Sequence, residues 1–175
     1  MRRKTLPTPA VAYEVVAEQL ADHASVADAD LVRDTIATLY GVASQPLDPA
    51  EAPRSRRSVK DAYGILTAVL CHSPLGERAD WPRDFWEAEL GRLIFYAHRH
   101  VYGADLLSQR ECAARLGRLP TTMARLQARR LLEFVCDPDA RNPRRDRRFV
   151  TTDMLASYRR LAGLDDDEDS TAAGE

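Results

Sequence analysis

Apolar residues recur at helical spacing along most of the first 130 positions. Tyr13, Val16 and Leu20 share one stripe, which predicts a short amphipathic helix over 9–22. Val32, Ile36 and Leu39 repeat the pattern and predict a second helix over 28–40, with Asp28 or Asp30 as its N-cap and Gly41 as its stop. From Ser44 to Arg57, three prolines (Pro46, Pro49, Pro53) and no periodic apolar face predict a loop. Ser58-Val59-Lys60-Asp61 has capping-box spacing with Asp in place of Glu. The helix behind it turns Val59, Tyr63, Leu66 and Leu70 inward and ends at Pro74 and Gly76. Trp81-Pro82 then opens the longest patterned helix, with Pro82 suited to the first helical position. It carries Phe85, Trp86, Leu90, Leu93, Ile94, Ala97 and Val101, runs to about Tyr102 and stops at Gly103.

The pattern changes after residue 104. Ser108-Gln109-Arg110-Glu111 is a full capping box and starts a helix of about two turns, with Cys112, Ala113 and Leu116 inward. Gly117 permits a sharp turn, and Pro120 starts a second helix with Met123 and Leu126 facing the first. Ala113 stands four residues before the glycine, Met123 six after it and Leu126 nine after it, the spacing of a helix-turn-helix. Arg118 departs from the apolar residue usual after the glycine, and Leu119 is expected to take over its packing role. On the outer face of the second helix stand Thr121, Thr122, Arg125 and Arg129, groups that suit phosphates and guanine edges in a major groove. Leu131–Val135 and Arg148–Thr151 read as strands of a β-hairpin with an Arg-rich tip, and Thr152 or Asp153 as the cap of a last helix bearing Met154, Leu155 and Tyr158. Arg141, Arg144, Arg145, Arg147 and Arg148 would follow the DNA backbone or enter a minor groove.

Charge sharpens this division. The net charge of −2 over 175 residues is a cancellation. Residues 1–104 carry 12 Lys+Arg against 14 Asp+Glu, residues 105–160 carry 13 against 7, and residues 161–175 carry none against 6. A segment of net +6 thus precedes an acidic tail of net −6, expected to be disordered from 163 onward and able to compete with DNA for the arginines. With 45% apolar residues a core can form, which excludes a wholly disordered chain. No apolar run approaches the ~20 residues that span a bilayer. Met1-Arg2-Arg3-Lys4 imitates the start of a signal peptide, but Pro7, Pro9 and Glu14 interrupt the apolar stretch that a signal peptide needs next. Three cysteines (Cys71, Cys112, Cys136) without a CxxC fit reduced thiols, and the reading is cytoplasmic.

The stretches SQRECAARLG, TTMARL and LLEFVCDPDARNPRRDRRFVTT, with the helix after them, resemble the winged helix-turn-helix of bacterial regulators of the multiple-antibiotic-resistance (MarR) type. Excisionase and MerR-type winged domains are the next closest. The resemblance covers about 50 residues and departs from MarR proteins in a shorter recognition helix and in the lack of a long helix after the wing. It implies a C-terminal winged domain (105–162) carrying a small β-hairpin wing; with the helical periodicity of the region before it (5–104), the expected fold is mainly α.

Other chemistries have weaker support. His98 and His100 flank Arg99, and i, i+2 on a helix does not place two metal ligands on one face; they read as surface histidines near a helix C-terminus. Cys112 and Cys136 are weighed as a redox pair, with small-residue packing preferred for Cys112. The pairs Glu87/Glu89 and Asp80/Asp84 read as solvated helix faces, and no phosphate loop, GxSxG or HExxH is present. No catalytic residue, metal or cofactor is assigned. Trp81, Phe85, Trp86, Phe95 and Tyr96 offer more aromatic surface than one helix face needs, which points to a homodimer or to a protein partner of the helical region. The expected function is sequence-specific binding of double-stranded DNA by a bacterial, plasmid or phage transcriptional regulator. The alternative is an adaptor of the replication, segregation or anti-repressor kind that holds a partner protein.

Overall fold

A computed structural model describes residues 6–14, 26–71, 81, 85–140 and 147–164. Most of the chain is helical, and one small three-stranded antiparallel sheet is present. The residues divide into two compact units at Gly103/Ala104, with the short stretch Cys136–Asp139 grouped with the first.

In the first unit, a helix described over residues 9–14 (α1) precedes α2 (Val26–Ser44), α3 (Ala52–Leu70) and α4 (Glu89–Tyr102). Val16, Leu20, Pro74, Gly76, Asp80, Pro82 and Asp84 lie outside the described residues. Val32, Ile36 and Leu39 are fully buried on one face of α2, as their spacing predicts. Thr35 on the same face is buried too, its hydroxyl donating to the Leu31 carbonyl at 2.7 Å. Gly41 does not stop this helix, which runs to Ser44. Pro46 bars the residue before it from helical geometry, so the chain leaves the helix there.

The loop after α2 is shorter than the prolines suggest. α3 starts at Ala52 because Pro53 sits in its first turn, where no N–H is required. Ser58 is therefore not a cap: it lies inside α3, and its hydroxyl donates back to the Arg54 carbonyl at 3.1 Å. The inward stripe is Val59, Ala62, Tyr63, Leu66 and Thr67, with Leu70 only partly buried.

α4 begins at Glu89, later than the sequence pattern suggests. Phe85–Glu87 form a turn that folds back over the helix. Gly91 makes that approach possible, since a Cβ there would lie 2.3 Å from the Phe85 carbonyl oxygen. The helix does stop at Gly103, whose φ of +51° favours glycine. Nine residues of α4 are buried, on more than one side, because α2, α3 and the Phe85–Trp86 turn all pack around it. Phe85, Trp86 and Phe95 are buried within this unit, so they are core and not a face offered to a second copy. Tyr96 donates to Asp139 at 2.5 Å, and burial together with that carboxylate pushes its hydroxyl up to about 12.

His98 corrects the expectation of a surface histidine. Its ring is fully enclosed, edge-on to Tyr63 and stacked near Tyr102. Nδ1 lies 2.8 Å from the Ile94 carbonyl, which can only accept, so Nδ1 bears the proton. Burial holds the imidazole down to about 4, against a smaller opposite pull from that carbonyl.

The second unit has β1 (Leu106–Ser108), α5 (Gln109–Arg115), α6 (Pro120–Ala128), Val135 of the two-residue strand β2 (Val135–Cys136), β3 (Arg148–Thr151) and α7 (Thr152–Leu161). The sheet order is β1-β3-β2. Leu107 pairs with Val150, so both side chains leave the sheet on one face and enter a core with Cys112, Ala113, Met123, Leu132 and Leu155. The Ser108 capping box is complete in both directions: Glu111 accepts from the Ser108 N–H at 2.7 Å, and the Ser108 hydroxyl accepts from the Glu111 N–H at 3.3 Å.

Two expectations about this unit fail locally. Leu131–Phe134 is not a strand; only Val135 and Cys136 are extended and paired. The cap of α7 is Thr151, whose hydroxyl accepts from the Met154 N–H at 3.1 Å, not Thr152 or Asp153. All three cysteines are buried and none is in a disulfide, and burial raises the Cys112 thiol to about 11, away from reactivity.

Candidate nucleic-acid interface

α5 and α6 are joined by a turn whose hydrogen bonds define a Schellman motif. The Arg118 N–H reaches the Ala113 carbonyl at 2.9 Å and the Gly117 N–H reaches Ala114 at 3.2 Å, with Gly117 at φ +58°. Leu119 does not take over the packing of Arg118. It is the extended N-cap of α6, 71% exposed, and Leu116 supplies the apolar contact with the core instead.

α6 then presents two distinct faces. Met123 and Gln127 are buried and Leu126 packs partly into the core. Thr121 and Arg125 are exposed, Thr122 is half-buried at the edge, and Arg129, expected within the helix, is its exposed C-cap residue just after Ala128. Arg118 stands exposed at the entry to the helix. Among the described residues, Arg118, Arg125 and Arg129 make no ion pair and no side-chain hydrogen bond. No side chain caps the N-terminus of α6. Glu111, in the first turn of α5, is engaged in its own capping box, and its bonds to Ser108 hold its carboxyl below the usual range. The outer face of α6 is thus cationic, without a compensating carboxylate among the described residues.

The helix ends in a second Schellman motif. The Leu131 N–H bonds the Leu126 carbonyl at 2.9 Å and the Arg130 N–H bonds Gln127 at 3.0 Å, with Arg130 at φ +58° where glycine is usual. This reversal turns Leu132 back into the core and leaves Leu131 53% exposed.

Of the five arginines expected on the hairpin, Arg141, Arg144 and Arg145 lie outside the described residues, as does the tail from Asp165. Arg147 is half-buried. Arg148, the first residue of β3, is exposed, yet its guanidinium is occupied. It sits 4.7 Å from the centre of the Phe134 ring, and Nη1 donates to Gln127 Oε1 at 3.3 Å. Gln109 Nε2 donates to the same oxygen at 2.7 Å. Sequence reasoning missed Gln109, Gln127 and Phe134. The available signal was Gln127 itself, a polar residue four positions after Met123 on the inward stripe of α6.

Among the described residues no group of His, Cys, Asp and Glu is arranged to hold a metal ion. None of their helices is long and apolar enough to cross a membrane. No protein-family model, no curated protein and no solved structure matches the chain.

Proposed function

We propose that the chain binds double-stranded DNA in a sequence-specific manner through a winged helix-turn-helix, as a cytoplasmic regulator of transcription. The observation that carries the reading is the outer face of α6 and its C-cap, where Thr121, Arg125 and the capping Arg129 are exposed and Arg125 and Arg129 have no acidic partner among the described residues. The order strand, helix, turn, helix, strand, strand, helix, with the strands arranged β1-β3-β2, supports it. In this reading α6 enters the major groove, Arg125 and Arg129 read base edges, and Thr121, Thr122 and the uncapped helix N-terminus hold phosphates. Arg141, Arg144, Arg145 and Arg147 follow the backbone.

Helix length argues for a second copy. Nine residues at about 1.5 Å each make roughly 13 Å, or about four base pairs. That is too little sequence to define a site, and a homodimer reading two half-sites doubles it.

The test is a polarisation titration with duplex DNA over a range of salt. Neutralising about six phosphates per subunit gives a log–log slope near −5. Arg125→Ala should weaken binding to a selected site by about 1–3 kcal/mol and relax the base preference opposite it. Absence of binding at tens of micromolar protein in low salt overturns the reading. A protein partner then becomes the better account, favoured by Leu119 and Leu131, the two exposed leucines at the ends of α6.

A further inference from the structure

We propose that Gln127, with Gln109 and Arg148, forms a polar latch that sets the orientation of α6, and that Arg148 acts as a positioning residue rather than a phosphate contact. This rests on the DNA-binding reading above. Gln127 is 2% exposed, at a place where an apolar residue would fill the core at lower cost. A primary amide withdrawn from water loses free energy unless its hydrogen bonds are replaced. Here only the oxygen is satisfied; the buried Nε2 has no partner. The residue is therefore a poor choice for stability and a good one for direction.

That single oxygen gathers donors from two other elements. Gln109 is the first residue of α5, fixed by the capping box beside it, and Arg148 is the first residue of β3. Phe134, one residue before β2, places its ring under the same guanidinium, 4.7 Å from the ring centre. The back of α6 is tied in this way to the preceding helix and to both sides of the hairpin. Apolar packing alone tolerates small rotations, whereas hydrogen bonds weaken steeply with angle. With side chains reaching about 5–6 Å from the axis, a 10° roll of α6 moves their tips by about 1 Å. That shift is enough to break a two-pronged bond from Arg125 to a base.

The role separates cleanly from a phosphate contact. Parent, Arg148→Met, Gln127→Leu, the double variant and Gln127→Glu are titrated against a duplex selected from a random library by the parent, and against a random duplex, at several salt concentrations. A latch predicts that Arg148→Met and Gln127→Leu each weaken the selected duplex about tenfold and the random duplex less than twofold, with the salt slope unchanged. The double variant is no worse than either single one, and Gln127→Glu, which keeps the acceptor, restores the preference. If Arg148→Met weakens both duplexes alike and lowers the slope by about 0.9, Arg148 is a phosphate contact and the proposal fails. Equal binding by Gln127→Leu and the parent also overturns it. A measurement without DNA keeps the latch distinct from the function: in the free parent, the Arg148 guanidinium protons and the Gln109 side-chain amide should exchange more slowly than in Gln127→Leu. Equal exchange rules out the latch whether or not the parent binds DNA.

Discussion

Lowering the pH from 7.5 to 5 puts a proton on His98 in the unfolded chain while the folded chain still refuses it. The unfolded value is the ordinary 6.5, and the folded one is held down to about 4 by complete burial between Tyr63 and Tyr102. Between these two values the unfolded state binds more protons, so the stability of the helical unit rises with pH and is lost on acidification. With 1.36 kcal/mol per unit of separation, the loss approaches about 3 kcal/mol by pH 4 and is about 2 kcal/mol at pH 5. At pH 5 ordinary carboxylates are still mostly ionised, which keeps them out of the comparison. Both tryptophans, Trp81 and Trp86, belong to this unit, so urea denaturation monitored by their fluorescence reports on it selectively. His98→Phe keeps a ring between the two tyrosines and removes the titration. The parent should lose about 2 kcal/mol more than this variant between pH 7.5 and pH 5. Equal losses in the two proteins would refute the argument, as would an imidazole that titrates above pH 6 by NMR in the folded parent.

Backbone geometry yields two further outcomes. Gly91→Ala places a methyl group 2.3 Å from the Phe85 carbonyl oxygen and 2.6 Å from the Trp86 Cα, both backbone atoms that cannot turn aside. It should lower the stability of the first unit by at least about 2 kcal/mol, read as a fall in the urea midpoint. Arg130→Gly relieves a left-handed conformation on an exposed residue and should stabilise the second unit by about 0.5–1 kcal/mol, seen as a higher midpoint by circular dichroism; a lower midpoint would show that its side-chain contacts outweigh the strain.

Helix ends decide how much of the fold is legible in the sequence. Where the chain offers glycine or a complete capping box, position and residue agree: Gly103, Gly117 and Ser108 with Glu111 stand where their chemistry predicts. The expectations fail where the same backbone geometry is made by a different residue. Arg130 adopts the left-handed turn that glycine adopts at Gly117, with the same pair of hydrogen bonds, and nothing in the chemistry of arginine announces it. The stretch Leu131–Val135 therefore reads as a strand, where the chain is in fact reversing at Leu131 and is paired only from Val135. Gly41 gives the opposite error, since a glycine inside a helix costs only about 1 kcal/mol and packing of α2 outweighs it. Pro53 reads as loop in isolation, yet it is well placed in the first turn of α3.

The candidate interface divides along the same physical line. The outer residues of α6 are legible because helical periodicity assigns each position to a face, and Met123 and Leu126 fix which face is inward. Periodicity cannot say what an inward polar residue meets, because that depends on segments distant in sequence. Gln127 finds its donors 18 residues back and 21 residues ahead. The cost of an error here is functional, since counting Arg148 as one more cation on the backbone treats all arginines of the +6 segment as equivalent. One guanidinium stacked on Phe134 and bonded to a buried amide is already engaged by the protein, whereas Arg125 and Arg129 have no such partner among the described residues. A salt slope counts the cations that reach phosphate, and a selected-to-random ratio reports how well α6 is held. Net charge alone predicts the first quantity and is silent on the second, which is why the buried glutamine, and not the sum of arginines, is the residue whose removal should separate affinity from specificity.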